Sequence, residues 1–381
     1  MRKQRIGELF SISKGKKYDE NELNDTNEMV RYIQIDDLRN DENIKMVRKA
    51  ASGVYVTPND ILIAWDGANA GTVGYNLSGI IGSTIAALRP KDNKDCISYI
   101  AMFLQSKSSY LRENCTGATI PHIQKNVLEN IEILLPPFEQ QKLIADALEK
   151  ARSLIDKRKQ AKAKLDELVQ AVFMEMFGDP IENPYNWPIK SFSYFAKIDT
   201  MMTTDFETYG EFPHIGIENI EKDTGELANY RLVKDQQLSS GKYVFNEKHI
   251  IYSKIRPYLN KVAIPEFPGL CSADSYPILV DNNKSNRIFF AYMLRSKRFL
   301  NHVEGLSTRT NIPKVNKPQL ESFECPCPPL DLQNDFSRKV TLILESKKLM
   351  QLQLQQLESN FQALLQKAFK GELTVKDGVM V

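Results

Sequence analysis

Cysteine, histidine and tryptophan are all scarce, numbering five, four and two in 381 residues. Each scarcity excludes something. Cys96, Cys115, Cys271, Cys325 and Cys327 are odd in number and take different places in the two halves of the chain. A disulfide framework is therefore not expected, and the reduced thiols of a cytoplasmic protein fit better. His122, His214, His249 and His302 are scattered without a ligand partner four residues on, and Cys325 and Cys327 lack a second cysteine pair. No zinc site is expected from them. A run of about 18 apolar residues, enough to span a membrane, is also missing. The charged N-terminus Met1-Arg-Lys-Gln-Arg-Ile has no apolar stretch behind it to serve as a secretory signal. Charge of one sign is lacking too, since 50 basic and 48 acidic residues leave a net +2. A small nucleic-acid-binding domain is often strongly basic. Balanced charge does not exclude DNA, because phosphate contacts need only local clusters.

Catalytic signatures are equally sparse. Ser13-Lys-Gly-Lys-Lys lacks the upstream glycine of a phosphate-binding loop, and Gly67, Gly71 and Gly74 have the wrong spacing for a dinucleotide fingerprint. Leu134-Leu-Pro-Pro-Phe superficially matches the Asn-Pro-Pro-aromatic motif of amino-methyltransferases, but Leu135 stands where the asparagine is required. Asp60 with Asp92-Asn93-Lys94 is too permissive a pattern to make a metal nuclease. No catalytic residue and no metal ligand is assigned.

What is present is a duplication. Gly117, then Thr119-Ile-Pro-His-Ile and Leu134-Leu-Pro-Pro-Phe-Glu-Gln-Gln, precedes one long helical pattern. Ser307-Thr-Arg-Thr-Asn-Ile-Pro-Lys-Val and Pro326-Cys-Pro-Pro-Leu-Asp-Leu-Gln precede another. Pro313 follows Pro121 by 192 residues (313 − 121), and Pro328 follows Pro136 by the same interval (328 − 136). Upstream, Met29 to Leu38 matches Phe212 to Ile220, and Ser52 to Trp65 matches Ser240 to Ser253. Their alternation and β-branched content indicate strands. Ile97 to Leu104 and Ile288 to Leu294 then indicate helices, so each half is a mixed α+β domain.

After the Pro-Pro pairs, apolar positions step by alternating four and three. They run Ile144, Leu148, Ala151, Ile155, then Leu165, Val169, Val172, Met176, and again Phe336, Val340, Ile343, then Met350, Leu354, Leu357, Phe361, Leu364, Ala368. Arg158, Lys162 and Lys347 interrupt this seam at positions where a polar residue sets register. Two long helices are expected to pair with each other as an antiparallel coiled coil, giving an internal pseudo-two-fold. Phe177-Gly-Asp-Pro and Phe369-Lys-Gly supply the matching stops.

This order of strand-rich domain, Thr-Ile-Pro loop, Leu-Pro-Pro-x-x-Gln-Gln, long helix and Phe-Gly-Asp resembles the specificity subunit of type I restriction-modification systems. Ser253-Lys-Ile-Arg-Pro-Tyr-Leu-Asn-Lys is a second familiar block, and the likeness covers almost the whole chain. The resemblance implies two tandem target recognition domains, at 1–137 and 179–328, each reading one half of a bipartite double-stranded DNA site. The long helices at 138–178 and 329–371 would act as spacer and as docking sites for two methyltransferase subunits, and 372–381 would be a tail. Two restriction-translocase subunits would complete the complex. S-adenosylmethionine, ATP and Mg²⁺ would belong to those partners, none to this chain, and the setting would be a prokaryotic cytoplasm.

Candidate DNA contacts can be weighed from the residues themselves. Lys254, Arg256, Tyr258 and Lys261 combine cations with an aromatic ring in a turn held by Pro257. That set suits phosphate clamping by the lysines and guanine readout by the arginine, or else is a solvated turn. The matching first-half loop, Trp65 to Thr72, has no lysine or arginine. It offers Trp65, and Asp66 and Asn69 that could read cytosine and adenine edges, or it is a plain loop. Thr119, His122, Gln124 and Lys125 answer Asn311, Lys314, Asn316 and Lys317, joined by Arg309, as polar groups around a fixed proline. Two other function classes compete with this reading: a stand-alone DNA methyltransferase or nuclease, and a pure coiled-coil scaffold.

Overall fold

The computed structural model describes residues 1–18, 28–50, 52–117, 119–306, 313–373, 375–376 and 379–380. The chain forms two compact units, Met1–Arg158 with Gln353–Val381, and Lys159–Leu352. Each long helix, Phe138–Phe177 and Leu330–Lys370, gives one of its halves to each unit.

In the first unit an antiparallel sheet runs in the order Phe10–Lys14, Ile85–Pro90, Ile61–Ala64, Val73–Gly74. Its central strand, Ile-Leu-Ile-Ala, is buried along its whole length. Side chains on a strand point alternately to opposite faces, and here both faces are covered. Ile61, Ile63, Ala86 and Leu88 join the core that holds Tyr99, Ile100 and Phe103 of the helix Ile97–Ser106. Leu62, Ala64, Ile85 and Ala87 face a second cluster with Ile33, Val56 and Ile81. Those last three come from a second sheet, ordered Lys45–Arg48, Met29–Ile33, Gly79–Ile81, Val54–Val56, in which Met29–Ile33 and Gly79–Ile81 are parallel.

The second unit repeats the plan. One sheet is ordered Ala196–Ile198, Ser275–Val280, His249–Ser253, Val262–Ala263. The other is ordered Met202–Thr203, Lys242–Phe245, Gly269–Cys271, Pro213–Ile215, Arg231–Leu232, with Pro213–Ile215 and Gly269–Cys271 parallel. Ile250, Tyr252 and Ile278 pack toward Phe289 and Phe290 of the helix Arg287–Leu294, while Ile251 packs with Ile215, Phe245 and Cys271. The strands and helices expected from the repeat are present. Met202–Thr203 is an added edge strand.

Within each unit the long helices run antiparallel. In the first unit Gln140 Nε2 donates to the Leu373 carbonyl at 3.2 Å, and the Arg152 guanidinium lies 5.5 Å from the Phe361 ring. In the second, Lys162 Nζ donates to Gln351 at 2.8 Å and Phe173 packs edge-on against Phe336. All twenty expected seam positions are buried or half-buried. Gly178 (φ +75°) and Gly371 (φ +76°) end the two helices in the left-handed conformation that favours glycine.

The seam changes character between the units. Ile155 and Leu354 are buried in the first unit's apolar core. Their counterparts 192 residues away (347 − 155 and 354 − 162) are Lys347 and Lys162. Lys347 is 5% exposed and bonds both Asp166 and Glu226, the latter at 2.5 Å, while Lys162 lies 3.6 Å from Glu226. Burial opposes charge on Lys347, yet the two carboxylates hold its ammonium above the usual lysine range. Partial burial likewise opposes ionisation of Glu226, and Lys347 and Lys162 outweigh it, so that carboxyl sits below the usual range.

The repeated glutamine after each Pro-Pro pair has a structural role. Gln141 is 1% exposed; it donates to the Pro136 carbonyl (2.9 Å) and Asp95 (2.7 Å) and accepts from the Cys96 N–H (2.9 Å). Gln333, fully buried, donates to the Pro328 carbonyl (2.8 Å) and accepts from Ser285 Oγ and the Asn286 N–H (both 2.9 Å). Each therefore ties a long helix's first turn to the start of the core helix beneath it. Gln333→Leu strands these buried groups and is expected to cost about 1–3 kcal/mol, measured by denaturant unfolding. A loss below about 0.5 kcal/mol would contradict that role.

Candidate nucleic-acid interface

One backbone device occurs in both units. After the strand Ile61–Ala64, the Trp65 carbonyl accepts from the Ile123 N–H (2.9 Å) and the Gly67 N–H donates to the Pro121 carbonyl (2.8 Å). After the strand His249–Ser253, the Lys254 carbonyl accepts from the Val315 N–H (2.9 Å) and the Arg256 N–H donates to the Pro313 carbonyl (2.8 Å). Single bridges between Asp66 and His122, and between Ile255 and Lys314, complete the match. Both turns then close alike, through Ala70 N–H to Gly67 and Leu259 N–H to Arg256, each 2.9 Å. In both copies a proline carbonyl, that of Pro121 or Pro313, ties the post-strand turn to the segment that begins at that proline.

The side chains on this shared frame differ. In the second unit Arg256 is exposed, as is Tyr258 (56%), and no hydrogen bond or ion pair holds the Arg256 guanidinium among the described residues. Lys314 is exposed, 3.8 Å from Asp274, and Lys317 pairs with Glu321 one helical turn on at 3.7 Å. Arg309 and Asn311 lie outside the described residues.

The two lysines expected as phosphate clamps are buried or half-buried. The strand His249–Ser253 is buried on both faces and that burial continues one residue past its end, so Lys254 is 7% exposed, its ammonium 4.6 Å from the Tyr276 ring centroid and 6.0 Å from that of Tyr243. Burial pushes its pKa down, and nearby Lys314 adds to this. Lys261 is half-buried and spends its ammonium on the Ile217 carbonyl at 2.7 Å. Both lysines brace the turn.

In the first unit Trp65 is partly buried against the main core. Thr119 is exposed, His122 Nε2 lies 2.8 Å from Thr116 Oγ1, and Lys125 pairs with Glu129 at 3.6 Å. The turn that carries no cation of its own acquires two from elsewhere. Lys14 pairs with Asp66 at 2.6 Å, and Arg39 donates to Asn69 at 2.7 Å. Sequence reasoning missed both, although Lys14 begins the basic run Lys14-Gly-Lys-Lys, whose Lys16 and Lys17 are exposed. Asp60 is 2% exposed and holds Arg89 at 3.1 Å, a structural pair.

Among the described residues no three His, Cys, Asp or Glu side chains gather as a metal site, and no helix is long and apolar enough to cross a membrane. Residues 1–167 and 186–359 each match the family described as the type I restriction modification DNA specificity domain. The chain belongs to this family. The specificity subunit of the EcoDI type I restriction enzyme from Escherichia coli is 29% identical over 319 residues, covering 73% of this chain and 70% of that protein. The MjaVIII specificity subunit from Methanocaldococcus jannaschii is 24% identical, covering 98% and 93%. In fold, the chain is similar to the type I restriction-modification S subunit from M. genitalium, with a TM-score of 0.58, 18% identity, and coverage of 97% and 96%. As a specificity subunit the chain recognises DNA and is not itself the catalyst.

Proposed function

We propose that each unit's turn and proline loop read one half of an asymmetric bipartite DNA site, with 1–137 and 179–328 as the two target recognition domains. The observation that carries this reading is one backbone frame, present twice, bearing different polar side chains. Phosphate contacts position a protein and base-edge contacts specify sequence. Arg256 suits a guanine edge and Tyr258 lies beside it. In the first unit Asp66 and Asn69 suit cytosine and adenine edges, with Lys14 and Arg39 placed to exchange their present partners for phosphate. Thr119, His122, Lys125, Lys314 and Lys317, together with Arg309 and Asn311, fall to backbone contact.

The long helices at 138–178 and 329–371 serve as spacer and as docking surfaces for two methyltransferase subunits, with two restriction-translocase subunits in the full complex. Exposed Leu342 (65%), Leu349 (58%) and Leu352 (58%) on the second helix support docking. S-adenosylmethionine, ATP and Mg²⁺ reside on those partners, in a prokaryotic cytoplasm.

Paired substitutions test the site. Arg256→Ala is expected to cost about 1–3 kcal/mol of discrimination at one base pair. Lys254→Met, whose ammonium is buried, should leave the salt dependence of binding unchanged. Competition binding with single-base variants of the site checks the first, and affinity measured against salt concentration checks the second. Intact discrimination in folded Arg256→Ala would sink the assignment.

A further inference from the structure

The two recognition turns share a backbone but not what one position carries. Gly67 and Arg256 each stand three residues past their strand, donate to a proline carbonyl at 2.8 Å, and accept from the residue three further on at 2.9 Å. Both are left-handed, at φ +91° and +51°. Glycine adopts that region freely, whereas an arginine there is strained and must be held by its surroundings. Strain of this kind concentrates where a ligand is gripped. The space is open in the first unit as well, since a Cβ built on Gly67 meets nothing within 4 Å.

We infer that position 67 is the first unit's counterpart of Arg256, a specificity-determining position whose reader is missing, so that the side chain placed there sets one further base pair of the first half-site. This rests on the DNA-recognition reading above. A glycine lets the backbone approach but supplies no side-chain donor to a base edge. Arginine would bring a fork that matches guanine O6 and N7, and asparagine one that matches adenine N6 and N7. Asparagine also tolerates the left-handed backbone, as at Asn260 (φ +50°) in the second turn.

The test uses the full chain assembled with its methyltransferase subunits. Gly67→Asn and Gly67→Arg are compared with wild type by sequencing the methylated sites and by competition with DNA randomised in the first half-site; Arg256→Asn is the reciprocal variant. The Gly67 variants are expected to gain a preference of roughly 5- to 150-fold at one base pair of the first half-site, adenine for Asn and guanine for Arg. The second half-site stays unchanged. Arg256→Asn should shift one second-half position from guanine to adenine. If folded Gly67 variants keep the wild-type first-half preference while Arg256→Asn shifts the second half, the inference is overturned and the recognition reading stands. If the wild-type complex methylates no bipartite site, the recognition reading itself fails.

Discussion

Exchanging residues 1–137 for the corresponding segment of another family member replaces one half of the methylated sequence and leaves the other half as it was. The physical ground is that each unit carries its own core, its own pair of sheets and its own post-strand turn bonded to its own proline carbonyl. None of Lys14, Arg39, Asp66 and Asn69 reaches its bonding partner outside the first unit. Each mismatched base pair costs about 1–3 kcal/mol. A half-site of three altered pairs would then lose roughly 3–9 kcal/mol of binding if the old sequence were retained, enough to abolish modification of the old site. The junction sets a condition, because Gln141 must still find the Pro136 carbonyl and the N–H now supplied by Cys96. A donor segment with the same Pro-Pro pair meets it. Methylated-site sequencing reads the outcome, and a change in both halves would contradict independent readout.

The second large effect concerns the lysine layer. Removing both carboxylates with Asp166→Asn and Glu226→Gln leaves Lys347 buried and unpaired between the helices of the second unit. Breaking a buried ion pair typically costs about 3–5 kcal/mol. The side chains of Asp166 and Glu226 are each 41% exposed, so solvent screening reduces the expected loss to about 2–3 kcal/mol. The contrasting variant gives Lys162 and Lys347 the residues of their counterparts, Leu and Ile, in the background of Asp166→Asn and Glu226→Gln, so that no carboxylate is left without a partner. Apolar replacement of a buried ionic layer is often neutral or stabilising, so a loss of less than about 1 kcal/mol is expected. The pH dependence follows from the directions of the shifts. Glu226, lowered in the folded state, contributes stability that is present above its unfolded pKa of about 4.3 and is lost as pH falls through the folded value. Lys347, raised, contributes fully below its unfolded pKa of about 10.4 and loses that contribution as pH climbs through the folded one. Denaturant unfolding between these limits measures the difference. Equal stability of the doubly neutralised variant and wild type would refute the layer's role.

The long helices were legible because a seam repeats over many turns, and every position on it tells the same story. Strands such as Ile61–Ala64 were legible as apolar runs, although only the fold reveals that the run is apolar because both its faces are covered. The candidate recognition surface was legible in its parts and not in its assembly. The two turns are offset by 189 residues (256 − 67) and the two proline loops by 192, so nothing in the spacing announces that Gly67 and Arg256 grip Pro121 and Pro313. Lys14 and Arg39 escaped notice because they lie 52 and 30 residues from the groups they pair with (66 − 14 and 69 − 39). Lys254 misled for a different reason. Its charge suggested a surface position, but the strand before it is buried on both faces and two tyrosine rings lie against the ammonium just past the last ladder pair.

The central claim is that this chain supplies sequence recognition in two halves and no chemistry. Sequencing the methylated sites of cells that carry the methyltransferase partners, with and without this chain, tests it most directly. Methylation at an asymmetric bipartite site, present only with the chain and absent when the purified chain is given S-adenosylmethionine and DNA alone, is the expected result. A single continuous site, or methyl transfer by the chain by itself, would contradict it.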